Sequence, residues 1–433
     1  MIKRFSYITE KEAFKRITKI FSLHVLKLET IPITEAYVRI LSENLVSQTN
    51  LPQRDLSHFD GYAIKAVDTK DGSVQNPIYF TVIDKLYPGQ IPRCKVQHGE
   101  AVYITTGSSL PKGTNSIVAV EATKIVNNNQ IEVRSNVNPY EHVIRRGSDI
   151  EKGETLLRKG QKIRVQDLNL LATLRIGKIN VVQKPIVAII CVGDELTDNI
   201  DEIGVEKIVN SHRYTVSAMI QELGGKPVYL GISPDKVTKI KKKVEEGLSR
   251  ADIVLLIGGS SMGNKDITLE AVDSIGKPGI IIHGLKRKPG RVSGFAVVKN
   301  KPVIILPGLS HSLIVGFYTF VFPFLLFMTG LSWANRQLIF KAKIIKQISF
   351  TSFAPFEHVT FVNAKRTQKG YLADPCIGGS SSIGTLVRAN AFIITSAGKR
   401  IVKAGEEVEV HLLPGFFSLN DIFTTKTQFE RST

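Results

Sequence analysis

The sequence predicts an α/β and β multidomain protein, and three observations carry that expectation. Apolar runs of strand length at 185–190 and 252–257 alternate with amphipathic helical stretches across residues 181–331. That alternation belongs to a mainly parallel sheet with helices on both faces. Short β-rich runs punctuated by Pro, Gly and Asn fill 51–142 and return over 336–412, which marks separate small β domains. Finally, 433 residues exceed what one hydrophobic core organises.

Taken in order, residues 1–50 read as helical. Thr9 and Glu12 form a capping box ahead of Phe14, Ile17, Ile20 and Phe21, which are spaced as one helix face. Pro32 opens a second helix running to Leu45. The polar stretch LPQRDLSHFD at 51–60 is a boundary. Strands follow at 78–84, 101–105, 116–123 and 130–134, with Asn127-Asn128-Asn129 as a hairpin tip. Residues 143–180 hold the basic turn Arg145-Arg146-Gly147-Ser148-Asp149, a hairpin-like piece at 153–160 and a helix at 166–174. Together with 1–50 they form a discontinuous N-terminal domain, interrupted by the inserted β domain of 51–142. The α/β domain of 181–331 has strands at 185–190, 227–231 and 252–257, helices at 214–223 and 235–248, and short strands at 279–282, 294–298 and 303–306. The C-terminal β domain of 336–412 has strands at 337–345, 359–363, 391–395 and 407–412, with a flexible polar loop at 378–382. Residues 413–433 are an unpatterned tail.

Composition narrows the class. The chain is 43% hydrophobic and 22% charged with a net charge of +18, an ordinary globular balance that invites an anionic partner. Its Lys and Arg residues are spread out and not interleaved with aromatics, so no nucleic-acid partner is expected. Cys94, Cys191 and Cys376 lie too far apart for a metal spacing and suit a reducing cytoplasm. The N-terminus lacks the apolar core of a signal peptide. Residues 313–333 carry no charge and are long enough to span a membrane. Pro323 interrupts that run, and it directly follows a strand, so it reads as a buried helix of the α/β domain with no membrane involved.

Six polar stretches concentrate the chemistry. After the 252–257 strand, Gly258, Gly259 and Gly263 leave backbone amides free to converge on an anion, Ser260 and Ser261 add hydroxyls, and Asp266 adds a carboxylate. After the 185–190 strand come Gly193, Asp194 and Glu195. Acids meeting at one sheet edge suggest a hard divalent cation such as Mg²⁺; the alternative is acids at helix starts that answer the macrodipole. Asn210 and Ser211 precede a helix and read as caps. The KRKPGR turn at 286–291 gathers three or four cations, including Lys288 and Arg291, into a site suited to a tetrahedral oxyanion. The other two are the basic turn at Arg145 and SHFDGYA at 57–63, where Asp60-Gly61 reads first as a turn. No phosphate-binding Walker loop and no Ser–His–Asp order is present.

These stretches, together with ITTGSSLPKGTNSIVAVE at 104–121, RRGSDI at 145–150, CVGDEL at 191–196, NSHR at 210–213, KPGR at 288–291 and LPG at 306–308, occur in an order that resembles the molybdopterin molybdenumtransferases, the MoeA-like family that includes the gephyrin E domain. The resemblance covers about residues 5–412. It implies a molybdopterin-binding-like α/β domain and an elongated homodimer whose active sites are shared between chains. The implied reaction inserts molybdenum from molybdate into adenylylated molybdopterin, releasing AMP with Mg²⁺ present. A molybdopterin adenylyltransferase would be the upstream partner. By the resemblance, Asp60, Thr106, Glu195 and Asp266 are catalytic. Gly193, Asp194, Ser211, Gly258, Gly259, Ser260, Ser261, Gly263, Lys288, Arg291, Pro307, Arg145 and Ser380 hold the substrates, and Glu195, Asp266 and Asp149 hold the metal. The chain departs from the family pattern at His58-Phe59 in place of Ala-Met, at Asn210 in place of an acid, at Ser260 and Met262 in place of two valines within the glycine loop, and at Leu309-Ser310-His311 in place of Asn-Pro-Val. Tungstate handling by a divergent paralogue, or a non-catalytic molybdopterin-binding scaffold, are the alternatives.

Overall fold

The computed structural model describes residues 6–20, 26–201, 206–259, 266–331, 339–350 and 355–413. They form two compact units, one of residues 1–30, 38–40 and 180–433, the other of 31–37 and 41–179.

In the first unit the α/β sheet runs in the order Lys226–Ser233, Ile186–Val192, Ile253–Gly258, Lys301–Leu306, Gly294–Val298 and Pro278–His283. The first four strands are parallel, Gly294–Val298 runs antiparallel to both its neighbours, and Pro278–His283 again follows the direction of the first four. Side chains alternate along each strand, so both faces of these apolar runs are covered. Val187, Ile189, Cys191, Leu255 and Ile257 pack with Phe14, Val216, Ile220 and Phe320. Ala188, Ile190, Val254 and Leu256 pack with Ile240, Val244, Leu248 and Val272. The N-terminal helix Glu10–Ile20 therefore contributes its apolar stripe to this core. Its start is held by the Glu12 amide donating to Thr9 Oγ1 at 3.3 Å.

The uncharged run folds as the helix Ser310–Met328, long and apolar enough to cross a membrane but 83% buried within the fold. It loosens into a π-turn over Phe317–Val321 just ahead of Pro323, where the missing N–H breaks the helical ladder. Phe295 anchors it, edge-on to Phe320 and Phe324.

The C-terminal strands close on themselves. Glu357–Thr367 pairs with Gly370–Pro375, then in turn Ile339–Ile344, Glu407–Leu412 and Ala391–Thr395, which returns to Glu357–Thr367. This is a five-stranded barrel around Ala342, Val362, Ala373, Ile393 and Val410. Besides the short pair Ile348–Ser349 and Ile401–Val402, two larger elements here escaped the sequence reading. One is the strand Gly370–Pro375. The other is the short helix Ile383–Arg388, which follows 378–382 and makes that loop an ordered lead-in, with Gly378 lying against Thr385.

In the second unit a six-stranded mixed sheet runs Ser116–Ala119, Gly61–Ile64, Glu100–Ile104, Ile78–Leu86, Gln130–Val133 and Thr123–Asn127. The expected 116–123 strand is broken by a helical turn at Val120–Ala122. The Asn127 side chain accepts from the Asn129 amide at 3.0 Å and closes the anticipated hairpin tip. The helix expected from Pro32 to Leu45 is a single turn, Ile33–Glu35. Val38 beyond it adopts φ 58°, a left-handed conformation in which a helix cannot continue.

Candidate functional site

The carboxyl ends of the parallel strands converge, as open α/β sheets arrange their ligand sites. Gly258 and Gly259 end one strand at φ 88° and 64°. A Cβ on Gly258 would lie 2.5 Å from the Val192 carbonyl oxygen, and one on Gly259 would lie 2.3 Å from Thr268 Oγ1. Only glycine permits that approach. Gly308, next to Pro307, brings the end of the Lys301–Leu306 strand against the same loop, since its Cβ would sit 3.5 Å from Gly258 Cα. His212 Nε2 bonds the Gly308 carbonyl at 2.7 Å and ties in the start of helix His212–Glu222. Ser260, Ser261 and Gly263 lie outside the described residues.

The acids have distinct surroundings. The Glu195 carboxylate folds back over Gly193, where a Cβ would stand 2.6 Å from Oε2. Glu195 is exposed, with no side-chain hydrogen bond or ion pair among the described residues. Asp194 turns aside to the Asp235 amide, 3.3 Å away, while its own amide donates to Asp235 Oδ2 at 3.2 Å. Asp266 caps the helix Ile267–Asp273, accepting from the Leu269 amide at 3.2 Å, with His283 Nε2 4.0 Å from its other oxygen. A carboxylate that caps a helix can still present a lone pair to a cation.

Ser211 is a correction: its side chain makes no capping bond. Asn210 does not cap either. It is buried, and its Nδ2 donates to Asp198 Oδ1 at 3.1 Å and to the Tyr229 hydroxyl at 2.8 Å. Tyr229 donates its proton to the Asp198 carboxylate, with Oδ2 at 2.7 Å and Oδ1 at 2.8 Å, and Arg213 stands 3.4 Å from Oδ1. Burial and then the Asp198 hydrogen bond push the phenol well above its ordinary range, so it stays a donor. Beneath the cluster, burial raises the Cys191 thiol to about 12, which makes it inert. Sequence reading missed Asp198 and Tyr229. The one available signal was a tyrosine inside an otherwise apolar strand.

The basic turn divides its cations by strand alternation. Arg287 and Lys288 pair in parallel with Glu357 and His358, so neighbouring side chains leave opposite faces. Arg287 points inward, 6% exposed, and pairs with Glu10 and with Glu357, whose Oε2 lies 2.5 Å from Nη2. It is structural, so the expectation of up to four cations sharing one oxyanion site is reduced. Lys288 lies over the Phe356 ring at 5.0 Å. Burial, and then Arg291, pull its ammonium below the usual lysine range. Burial and Lys288 likewise lower His358. Ser380 meets the start of the long helix through its carbonyl, which accepts from the His311 amide at 3.0 Å, while His311 Nε2 bonds the Ser382 carbonyl at 2.9 Å.

The remaining candidates lie on the second unit. Asp60 Oδ1 accepts from both the Thr106 amide at 2.7 Å and its hydroxyl at 2.9 Å. These two bonds hold its carboxyl below the ordinary range. Arg145 lies over the Tyr140 ring at 4.4 Å, and Asp149 is exposed on the same turn.

Three family models match in sequence order: the MoeA N-terminal region (domain I and II) over residues 8–174, the probable molybdopterin binding domain over 188–326, and the MoeA C-terminal region (domain IV) over 344–413. A putative molybdopterin biosynthesis protein of Methanocaldococcus jannaschii is 32% identical over 414 residues, 93% of this chain and 96% of that one. A molybdopterin molybdenumtransferase of Bacillus subtilis is 30% identical over 89% of this chain and 90% of its own length. The crystal structure of a MoeA protein from Pyrococcus horikoshii superposes with a TM-score of 0.83 at 28% identity, covering 94% of this chain and 99% of that one. With its regions matched in order and its relatives aligned nearly end to end, this chain belongs to the MoeA family, the molybdopterin molybdenumtransferases of molybdenum cofactor biosynthesis.

Proposed function

We propose that this chain inserts molybdenum from molybdate into adenylylated molybdopterin, with Mg²⁺ assisting and AMP released. The observation that carries the reading is the Glu195 carboxylate, exposed at the end of a buried strand and without a protein partner among the described residues. No group of three or more His, Cys, Asp or Glu able to hold a metal occurs among those residues. Mg²⁺ needs no such group, since it takes one or two carboxylates and completes its shell with phosphate oxygens and water. Glu195 and Asp266 would hold it; Asp149, expected from the resemblance as a further ligand, belongs to the second unit. The cation would supply neutralisation of the phosphate charge. Amides around Gly258 and Gly259 suit the pterin phosphate or the adenylate, and Lys288 and Arg291 suit the oxyanion. Asp60, kept ionised by Thr106, is a fixed hydrogen-bond acceptor. In the proposed homodimer, Asp60 and Thr106 complete the site of the other chain. A substrate that arrives adenylylated requires a molybdopterin adenylyltransferase upstream, and the cytoplasm is the proposed compartment.

The test is incubation with adenylylated molybdopterin, Mg²⁺ and either molybdate or tungstate, followed by AMP and by metal in the product. Glu195→Gln should lose AMP release with an unchanged circular dichroism spectrum; undiminished turnover refutes the role. Tungsten incorporated in preference to molybdenum corrects the oxyanion. Pterin binding without AMP release by the native protein makes it a scaffold. Mixing Asp60→Ala with Glu195→Gln protein should restore part of the activity, and no rescue after verified subunit exchange removes the shared site.

A further inference from the structure

The opposite end of the α/β sheet, where the strands begin, holds a cavity of about 640 Å³. Leu26, Ile186, Pro302 and Met328 line it with apolar surface. Five lysines border it. The Lys301 ammonium is engaged by the Leu248 and Ala251 carbonyls at 2.7 and 2.9 Å, closing the end of helix Val237–Arg250. Lys27, Lys184, Lys226 and Lys299 make no side-chain hydrogen bond or ion pair among the described residues. The two acids in the wall are already taken: Glu29 pairs with Arg39, and Asp252 Oδ2 accepts from the Ile186 amide at 2.8 Å. Four unpaired lysines therefore border the cavity against one remaining carboxylate charge, that of Asp252, and leave it strongly positive. Lys299 sits at φ 50° in a hairpin turn whose next residue, Asn300, is at φ 60°. Gly, Asn and Asp suit such positions, and a lysine there costs roughly 1 kcal/mol. The strained lysine is a reason to look for a ligand.

We propose that this cavity binds an organic phosphate, its apolar or aromatic body against Leu26 and Met328 and its phosphates on the four lysines. The volume falls in the range of small-molecule sites, about 300–1,000 Å³. Ammonium groups are point charges that donate to phosphate oxygens from any direction, as lysines in phosphate sites commonly do. The site lies apart from the Glu195 edge, so it stands or falls independently of the proposed reaction.

The experiment is calorimetric titration of the full chain with guanosine triphosphate, which spares the adenylate end of the proposed reaction, and in parallel with pyrophosphate and a hexaglutamate peptide. The nucleotide should bind more tightly than pyrophosphate, which lacks the apolar body. Lys184→Ala with Lys299→Ala should weaken it about tenfold, equivalent to about 1.4 kcal/mol, while Lys288→Ala leaves it unchanged. Lys299→Asn should weaken binding yet raise the urea midpoint, a pairing that damage to the fold would not produce. The proposal is overturned if millimolar nucleotide gives no binding heat, if Lys288→Ala rather than the lysine pair abolishes binding, or if the peptide binds more tightly and reveals an acidic protein partner.

Discussion

Arg287→Met tests how the basic turn is held. Arg287 sits at 8% side-chain exposure between Glu10 at 13% and Glu357 at 34%, and so joins the N-terminal helix, the KPGR turn and the barrel. Removing one partner of a buried ion pair costs about 3–5 kcal/mol, because the remaining charge stays desolvated. Glu357 is one-third exposed and water screens its share, so the expected loss is near the lower figure, about 3 kcal/mol. With a slope of about 3 kcal/mol per molar urea for a large unit, the first unfolding midpoint should fall by about 1 M. Adding Glu10→Gln and Glu357→Gln should recover most of the loss, since the stranded carboxylates are then neutral. Lys288, the next residue, should lose its orientation, and the oxyanion concentration for half-maximal insertion should rise. A midpoint within about 0.2 M of the native protein, or no recovery in the triple variant, refutes the reasoning.

Two further outcomes are expected. Tyr229→Phe removes the donor that faces Asp198 and the acceptor for Asn210; it should cost about 1–2 kcal/mol in urea unfolding, because part of the Asp198 carboxylate reaches water, and lower turnover more than substrate affinity by loosening the segment behind Glu195. Unchanged stability and turnover would remove the cluster from the argument. Lys288 is held below its ordinary value of 10.5, and only its protonated form attracts an oxyanion. Molybdate affinity should therefore be full at neutral pH and fall as pH rises, with a midpoint below 10.5, whereas Lys288→Arg stays charged and should flatten that profile; an identical fall in both proteins would place the titrating group elsewhere.

Architecture is legible in the chain wherever a period is long or an apolar run continuous. The continuous apolar runs at 185–190 and 252–257 read as inner strands and the glycines behind them as turns, and the structure gives the reason at Gly258, where a Cβ would lie 2.5 Å from the Val192 carbonyl oxygen. The order of the motifs along the chain is by itself enough to carry the family resemblance. Local pattern failed where tertiary contacts outweighed it. Residues 32–45 carry helical signals, yet Val38 at φ 58° ends the helix after one turn. KRKPGR reads as one cluster of cations, but strand alternation against Glu357 and His358 turns Arg287 inward and puts Lys288 on the opposite face. Asn210 and Ser211 read as caps because capping is the local option, and only the fold brings Asp198 and Tyr229, 31 residues apart, to within hydrogen-bond reach. Hydrophobic period is written along the chain, whereas the partner of a buried polar group is chosen by whichever distant strand packs beside it; that choice required the tertiary structure.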